Sequence, residues 1–355
     1  MTNLQDFIKG IVKPVKLDVD YGFAAVGLDH GHINGMCASL TEAGATLLYV
    51  YDRDVKKAEA LAAKHGAVVV DDIRRIYEDE RVKLVASAGI PNERGPLGCD
   101  VMRHGRDYFV DKAPFTTLEQ LHEAEKVCAE TGRKYFVYYS ERLQSECSIL
   151  AGYLVDAGYI GKVVNLIGTG PHRISLPTRP DWFFEREKYG GILCDIGSHQ
   201  AEQFLYYSGC DDARVTHSAI GNFKYPDYPE LDDFGEMHLT AANGVTGYHR
   251  VDWYTPDGLR TWGDGRCYLE GTEGFIEMRK NVDITVGGGN KLYLTNADGE
   301  FVIDARGTTG FPYFTALIRD SIERTETAMT QAHAFAAARP CLEAKKYAIE
   351  LTGRK

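Results

Sequence analysis

The sequence predicts an α/β protein of two domains: an N-terminal Rossmann domain with a doubly wound parallel sheet, and a C-terminal α+β domain with a large, open, mostly antiparallel sheet. Its 355 residues are too many for one ordinary core. From Tyr21 to about Tyr139, short and continuously apolar runs alternate with helical segments, which is typical of parallel strands buried on both faces. After about Ser145, strand-like segments follow one another between turn signals, which favours an antiparallel sheet.

The Rossmann domain is expected over residues 21–143, after an N-terminal extension of residues 1–20 that has no clear role. Apolar residues at helical spacing predict one helix after the first strand and a second over Val55–Lys64. A third helix follows Pro114, where Thr116 and Glu119 have the spacing of a capping box. The predicted strands are Phe23–Val26, Leu47–Tyr51, Val68–Val70, Leu84–Ala88, Tyr108–Val110 and Tyr135–Tyr139.

The α+β domain is expected over residues 144–355. Turn signals at Ala242–Gly244 and Gly287–Gly289 divide its strand-like region. The sequence leaves open whether the last helices pack back on the Rossmann domain. The predicted elements are a helix over Cys147–Ala157, a strand over Val163–Ile167, a helical run over Ile192–Tyr207, strands between Arg214 and Phe301, and helices over Phe314–Arg324 and Ala332–Thr352.

Composition excludes several classes of protein. The net charge is −11 with the signs well mixed, so there is no basic stripe for nucleic acid. No stretch is long and apolar enough to cross a bilayer, and the N-terminus lacks the apolar region of a secretory signal. The eight cysteines form no C-x-x-C pair and no zinc spacing, so we expect reduced thiols in a cytoplasmic protein.

The turn after the first predicted strand is a candidate dinucleotide site. It runs from Gly27 into a helix and matches the G-x-G-x-x-G fingerprint only in part. Asp29 stands at the second glycine position, His32 at the third, and Gly31 lies one place early. The start of the helix still offers N–H groups to a diphosphate, so we expect Gly27, Asp29, His30 and Gly31 at the cofactor.

The second predicted strand ends at an acidic residue, Asp52, in the position that binds the adenosine ribose hydroxyls in such folds. Asp52 favours NAD. Arg53 follows directly and could pair with a 2′-phosphate, so NADP stays open. The alternative role for Asp52 is that of a turn residue before the next helix.

His30 and His32 could also be a pair of metal ligands. Two histidines at positions i and i+2 of a tight turn do not share a helical face, and no third ligand is apparent. We therefore expect phosphate or turn contacts and no metal.

Four motifs in order resemble the glucose–fructose oxidoreductase / inositol dehydrogenase / rhizopine catabolism (Gfo/Idh/MocA) family. Tyr108–Pro114 resembles its strand-end E-K-P motif, and Gly190–His199 resembles its G-G-x-x-x-D-x-x-x-H motif. Ile90–Asn92 resembles its T-P-N loop, and Gly161–Val163 resembles the start of its second domain. The resemblance covers nearly the whole chain and implies a divergent member: an NAD(P)-dependent dehydrogenase acting on CH–OH groups, with Pro91 and Asn92 at the cofactor.

The chain departs from the family pattern at four places. Asp111 stands for the usual Glu, and Glu202 for an Asp. The family's His after T-P-N is lacking. Ala113 replaces a family proline that often follows a cis peptide bond. A cis bond before a residue other than proline is costly, so this change bears on where the Lys112 side chain lies.

The resemblance implies that Lys112, Asp195 and His199 form the catalytic set. Asp195 and His199 are at i and i+4 of a predicted helix, so they share a face. Histidine titrates near neutral pH, which suits it to accept the hydroxyl proton. Lys112 ends a buried strand, where it would polarise the reacting oxygen and touch the cofactor, and Asp195 would anchor a substrate hydroxyl.

Aromatic rings and polar donors are concentrated in the second half of the chain, a combination that suits a polyhydroxylated ring, although strand aromatics also pack sheets. The candidate substrate contacts are Arg142, His172, Trp182 and His249.

The predicted function is hydride transfer between a nicotinamide cofactor and a sugar, cyclitol or glycoside. Two alternatives stay open: glycoside cleavage assisted by a retained NAD, and a dinucleotide-binding regulator without catalysis. The expected assembly is a homodimer or homotetramer through the C-terminal sheet, without nucleic-acid or membrane partners.

Overall fold

The computed structural model of the protein describes residues 3–351, which form two compact units. The parallel-sheet unit takes in residues 14–138 and 312–335. The mixed-sheet unit takes in 139–311, together with the described parts of 1–13 and 336–355. The segment 312–335 thus returns to the parallel-sheet unit, while the end of the N-terminal extension at residue 13 falls in the other one.

The described α-helices, in chain order, are α1 (Leu4–Lys9), α2 (His32–Ala43), α3 (Val55–His65), α4 (Arg74–Glu78), α5 (Pro91–Arg103), α6 (Leu118–Thr131), α7 (Ser140–Leu143), α8 (Glu146–Asp156), α9 (Arg186–Tyr189), α10 (Ile192–Asp195), α11 (Gly197–Ser208), α12 (Pro312–Glu323), α13 (Gln331–Ala336) and α14 (Arg339–Tyr347).

The described strands are β1 (Gly22–Val26), β2 (Thr46–Tyr51), β3 (Val68–Val69), β4 (Val82–Ser87), β5 (Asp107–Asp111), β6 (Tyr135–Tyr138), β7 (Val163–Pro171), β8 (Ala213–Gly221), β9 (Phe234–Ala241), β10 (Thr246–Asp252), β11 (Arg266–Gly271), β12 (Gly274–Arg279), β13 (Lys291–Asn296), β14 (Gly299–Asp304) and β15 (Ile349–Glu350).

The parallel-sheet unit has the strand order β3-β2-β1-β4-β5-β6, with every neighbouring pair parallel. This is the order of a dinucleotide-binding Rossmann fold, so the predicted fold class is confirmed. Every residue of β1 and β5 is buried, as the continuous apolar runs predicted. In such a sheet, ligands bind at the carboxyl ends of the strands, near the crossover between β1 and β4.

The mixed-sheet unit has nine strands in the order β14-β13-β12-β11-β7-β10-β9-β8-β15. Its neighbours are antiparallel except for β7 with β10 and β8 with β15, which confirms the large, mostly antiparallel sheet. Helix α11 packs against β7 and β10 on one face. On β7, Leu166 is buried while its neighbour Ile167 is 44% exposed, so the two faces of the sheet differ in their contact with solvent.

Two of the predicted helices are divided in the structure. The run predicted over Ile192–Tyr207 changes helix at Ile196, because the Ser198 hydroxyl donates to the carbonyl of Asp195 and the His199 N–H turns to that of Ile196. The long closing helix is divided into α13, α14 and β15, since Pro340 fits the first turn of a new helix but not the interior of a longer one. Its predicted end at Thr352 lies outside the described residues.

The predicted capping box is wrong by one residue. The N-cap of α6 is Thr117, whose hydroxyl accepts the N–H of Gln120 at 3.3 Å. The Gln120 side chain in turn accepts the N–H of Thr116 at 2.9 Å. Either Thr116 or Thr117 could have been the N-cap. In the structure Thr117 is the N-cap, and Gln120 takes the place predicted for Glu119.

Within residues 3–351, none of the helices combines the length and the apolar character that a membrane span requires.

Gly168 on β7 tests the packing of α11 on the sheet. A Cβ at this position would collide with Gln200 of α11 and lie 2.7 Å from His249 Nδ1 of β10. We expect Gly168→Ala to destabilise the protein by roughly 1–3 kcal/mol, because both neighbours are packed in the interior. Gly258→Ala is the matched control, since nothing lies within 4 Å of its Cβ position. Equal thermal unfolding midpoints for the two variants would contradict this packing.

Candidate functional site

The carboxyl ends of β1, β2 and β4 open on a cavity of about 490 Å³ in the parallel-sheet unit. Gly27 begins the turn with φ 71°, and its Cβ position lies 3.2 Å from the Cα of Gly89, which follows β4. Only glycine fits this close crossing of two turns. Gly31 lies in open space before α2, with no atom within 4 Å of its Cβ position. The residues lining the cavity include Gly27, Asp29, Asp52, Arg53, Gly89, Asn92, Glu93 and Arg94.

Asp52 has both a turn role and a place on this cavity. Its carboxylate accepts the N–H of Leu28 at 2.5 Å and that of Asp54 at 2.7 Å. It thereby ties the end of β2 to the turn after β1. The neighbouring Arg53 forms an ion pair with Glu93 at 3.1 Å across the same cavity.

Asp29 occupies the second glycine position of the G-x-G-x-x-G fingerprint, and a nearby lysine partly compensates its negative charge. Lys57 of α3 lies 3.3 Å from the Asp29 carboxylate. Nearby, α5 begins at Pro91, and Asn92 lines the cavity. The Asn92 Oδ1 is buried and has no hydrogen-bond partner among residues 3–351. It is therefore available to accept a hydrogen bond from a ligand.

Arg94 is a site residue that sequence reasoning missed. Its side chain is 1% exposed, donates to the carbonyl of Gly89 at 2.7 Å, and reaches the Asp111 carboxylate at 3.3 Å. It also donates to the carbonyls of Asp111, Lys112 and Ala113. One guanidinium thus holds the end of β5. The available signal was a lone arginine on the buried face of α5, three residues after Pro91.

Asp111 is fully buried beneath the histidines of the β1–α2 turn. His30 Nδ1 lies 3.3 Å from one carboxylate oxygen and His32 Nδ1 lies 2.9 Å from the other. Burial would raise the pKa of Asp111, but the charges of His32 and Arg94 hold it well below its ordinary value. Burial, together with His32, lowers the pKa of His30 to about 4. The sequence shows no third metal ligand near the two histidines. The structure supplies one, because it brings the Asp111 carboxylate to both of them.

Lys112 follows Asp111 directly and is 5% exposed. Its positive charge is one of the influences that lower the pKa of His30. The peptide bond from Lys112 to Ala113 is cis.

In the mixed-sheet unit, His199 of α11 is 2% exposed and lies close enough to Glu141 of α7 to lower the pKa of that carboxyl. Burial would raise this pKa, but the charges of Lys280, His199 and His172 bring it to about 2. Lys280 Nζ lies 2.5 Å from Glu141 Oε2, and His172 Nε2 lies 3.8 Å from Oε1. Sequence reasoning missed Glu141 and Lys280 because no motif marks them.

A second cavity, of about 430 Å³, lies wholly within the mixed-sheet unit. Its wall combines charged and amide side chains with one large ring, that of Trp262. Glu141 Oε1 is buried and has no hydrogen-bond partner in the described chain. The residues lining the cavity are Ser140, Glu141, Gln144, Ser145, Thr261, Trp262, Lys280, Asn281, Gly289, Asn290 and Arg306.

The four predicted substrate contacts lie in different surroundings. His172 faces Glu141 and packs on Trp262 at 4.5 Å between ring centroids, beside this cavity. Arg142 is buried in an ion pair with Glu202 and lies 3.8 Å from the Tyr206 ring centroid. Trp182 contacts Phe183 in a short 3₁₀ helix. His249 is buried against Phe204, and neither of its ring nitrogens has a hydrogen-bond partner in residues 3–351.

Comparison with known proteins decides the family. Residues 22–139 match the family model described as an oxidoreductase family with an NAD-binding Rossmann fold. Residues 150–277 match the model of the GFO/IDH/MocA C-terminal domain. The chain belongs to the Gfo/Idh/MocA oxidoreductase family. The predicted family, the NAD-binding Rossmann domain and the oxidoreductase class are confirmed.

Among solved structures, a proposed oxidoreductase from Erwinia carotovora atroseptica SCRI1043 is 44% identical with a TM-score of 0.91, over 94% of this chain and 100% of that one. A levoglucosan dehydrogenase in complex with NADH and levoglucosan shares the fold at 15% identity and a TM-score of 0.76, over 91% and 95% of the two chains.

Among curated proteins, the scyllo-inositol 2-dehydrogenase (NAD⁺) of Bacillus subtilis (strain 168) is 24% identical over 73% of each chain. The D-xylose dehydrogenase of Paenarthrobacter nicotinovorans is 24% identical over 153 residues. This match covers 41% of this chain and only 39% of that enzyme.

The parallel-sheet unit fits the dinucleotide that this family binds. A cavity lies at the carboxyl edge, two turns cross where a Cβ on Gly27 would crowd the backbone of Gly89, and the buried Asn92 Oδ1 accepts no hydrogen bond within residues 3–351. Asp52 and Asn92 are therefore placed to hold the polar groups of NAD, and Gly27 and Gly31 leave room for its approach.

The buried imidazole of His249 is expected to make folding stability depend on pH. Burial lowers its pKa from 6.5 to about 3, so the unfolded chain binds its proton at higher pH than the folded protein does. Folding stability should therefore fall as pH drops from about 6.5 towards 3, by about 2 kcal/mol at pH ~5 for this one group. The His249→Leu variant should lack this part of the decrease in folding stability at low pH.

Urea unfolding of the wild type, His249→Leu and His104→Leu at several pH values checks this expectation. His104→Leu, at a histidine that is about half exposed, is the control for the loss of an imidazole at the surface. An unchanged pH dependence in His249→Leu would show that the buried imidazole does not resist protonation.

Proposed function

We propose that this protein transfers a hydride between NAD and a hydroxyl-bearing carbon of a sugar, cyclitol or glycoside. The observation that carries the proposal is the polar cavity of about 430 Å³ in the mixed-sheet unit, with Glu141 Oε1, which accepts no hydrogen bond within residues 3–351, in its wall. A buried carboxylate oxygen without a donor favours a ligand rich in hydroxyl groups. The relatives named for inositol, xylose and levoglucosan act on such molecules.

The chain's own residues supply the proton chemistry. NAD, when bound, takes up or gives the hydride. His199 accepts the hydroxyl proton, and the nearby negative charge of Glu141 stabilises the imidazolium that forms. Lys112 donates a hydrogen bond to the reacting oxygen, and Asp195, at the end of α10, anchors a neighbouring hydroxyl of the substrate.

The cofactor choice follows from the end of β2. Asp52 is placed to accept hydrogen bonds from the ribose hydroxyls, and its charge disfavours a 2′-phosphate there. Arg53, the residue that could bind such a phosphate, is paired with Glu93. NAD is therefore the proposed partner in preference to NADP. The eight cysteines are free thiols, which supports a reducing, cytoplasmic location.

Lys112→Ala and His199→Ala test the assigned roles. Each should lower turnover by roughly 10²–10⁴-fold, because each removes a group that handles the proton or the oxygen of the reacting hydroxyl. Absorbance at the NADH band, with NAD and NADP tried separately against sugars, inositols and glycosides, measures turnover. Calorimetry should show NAD binding close to that of the wild type.

The exposed residues Lys83 and His122 give matched control variants, Lys83→Ala and His122→Ala, which should behave as the wild type. Wild-type turnover in either Lys112→Ala or His199→Ala would overturn the role of that residue. Consumption of a glycoside without net NADH would indicate cleavage with a retained cofactor instead.

Glu141→Gln tests the positioning role of this carboxylate. Its loss removes the negative charge that stabilises a protonated His199, so the acidic limb of the pH–rate profile should move to lower pH and kcat should fall. Glu187→Gln, an exposed glutamate of α9 in the same unit, is the control. A purely structural Glu141 would lower stability in the Gln variant and leave the position of the pH profile unchanged.

The proposed assembly is a homodimer or homotetramer through the open face of the mixed sheet. On this face Ile167 of β7 pairs with Tyr248 of β10 and Tyr268 of β11, so the row is apolar and aromatic. Ile167→Glu should shift the protein towards the monomer in light scattering, because burying an unpaired charge opposes association. Val68→Glu, on the edge strand of the other unit and 52% exposed, should leave the mass unchanged.

A further inference from the structure

His30, His32 and Asp111 bring three metal-ligating groups to one point at the edge of the parallel sheet. The two histidines come from the turn between β1 and α2, and the carboxylate comes from the last residue of β5. One ligand atom from each of the three residues lies within 4.8 Å of those of the other two. The imidazole rings meet edge-on, with 4.2 Å between their centroids.

Each imidazole Nδ1 lies about as far from a carboxylate oxygen of Asp111 as two ligand atoms of a tetrahedral zinc site lie from each other. Ligand atoms that each lie about 2.0–2.1 Å from a zinc ion are roughly 3.3 Å apart. His30 Nδ1 and one Asp111 oxygen are 3.3 Å apart, and His32 Nδ1 and the other oxygen are 2.9 Å apart. An ion bound between these atoms would replace the contacts of Asp111 with the two histidines, and also the hydrogen bond that His30 Nδ1 accepts from the His32 N–H at 3.3 Å.

We propose that His30, His32 and Asp111 bind a divalent transition-metal ion, with zinc as the first choice. Two imidazoles and one carboxylate are the donors that zinc, cobalt and nickel accept readily. Magnesium and calcium prefer all-oxygen sites, so they do not fit this set.

The surroundings hold the ligands in place and leave one side open. Arg94 reaches the Asp111 oxygen that faces His30, at 3.3 Å, from within the core. The His30 N–H donates to the Ala88 carbonyl at 2.8 Å, which fixes the turn. The side chains of His30 and His32 are 22% and 36% exposed, whereas Asp111 is fully buried. Three protein ligands with solvent access resemble the zinc sites that keep a position for water or substrate.

The positive charges of the Arg94 and Lys112 side chains influence which metal ions the site can hold. Arg94 contacts the carboxylate, and Lys112 is the next residue in the chain. A weakly coordinating cation gains little beside two positive charges, whereas a transition metal is retained by directional bonds to the imidazole nitrogens. This inference is independent of the proposed function, because its test uses neither dinucleotide nor substrate.

The experiment titrates the full-length protein, first freed of metal by a chelator, with zinc in a calorimeter and with cobalt followed by its visible absorption. We expect one ion per chain and the absorption bands of four-coordinate cobalt. His32→Ala should weaken binding by roughly tenfold or more. His30→Ala should do the same, and circular dichroism confirms that each variant is folded.

Two control variants separate this site from other histidines. His104→Ala removes a histidine that also lies beside an aspartate, 3.5 Å from Asp100, but without a second histidine. His122→Ala removes an exposed histidine of α6. Both should bind zinc as the wild type does. Absence of zinc binding in the wild type, unchanged binding in folded His32→Ala and His30→Ala, or loss of binding in either control would overturn the proposal.

Discussion

A single buried guanidinium, that of Arg94, holds together the strand ends from which the cofactor side of the site is built. It joins the carbonyl of Gly89, after β4, to the carboxylate of Asp111 and to the backbone of Lys112 and Ala113, after β5. A buried arginine is tolerated only where its donors are satisfied, so the charge and the backbone conformation depend on each other. The position of Lys112, and that of the carboxylate beneath the two histidines, follow from this one contact.

The mixed-sheet unit uses the same principle at the start of its first helices. Glu141 and Arg142 are neighbours in α7 and both are buried, yet each faces an opposite charge: Lys280 for the glutamate and Glu202 for the arginine. Such pairs are costly to desolvate and are weak grounds for stability. The Glu141 pair lines a cavity beside His172, whereas the Arg142 pair lies under Tyr206. The two pairs therefore differ in their surroundings, one facing a cavity and the other packed against a ring.

Periodicity and motif order were enough to predict the two sheets, because parallel strands bury both faces while antiparallel ones alternate. The ordered motifs around Lys112 and His199 predicted the family. The capping box of α6 and the helix change at Ile196 could not be predicted, since each depends on which of two adjacent hydroxyls or carbonyls wins a local hydrogen bond.

Partners distant in sequence were also beyond sequence reasoning. Glu141 and Lys280 meet only through the tertiary fold, and Arg94 reaches Asp111 only because α5 packs beside β5. The same limit hid the third ligand of His30 and His32: Asp111 lies about eighty residues further along the chain, where a spacing rule for metal ligands finds nothing.

The proposed reaction moves a carbon-bound hydrogen of a hydroxylated substrate to NAD. Incubation of the protein with NAD and polyols deuterated at their carbinol carbons, followed by mass spectrometry of the nicotinamide, tests this transfer directly. Hydride transfer predicts deuterium in the reduced cofactor and a ketone product that has lost it. Substrate bound or consumed with no deuterium ever reaching the nicotinamide would contradict it.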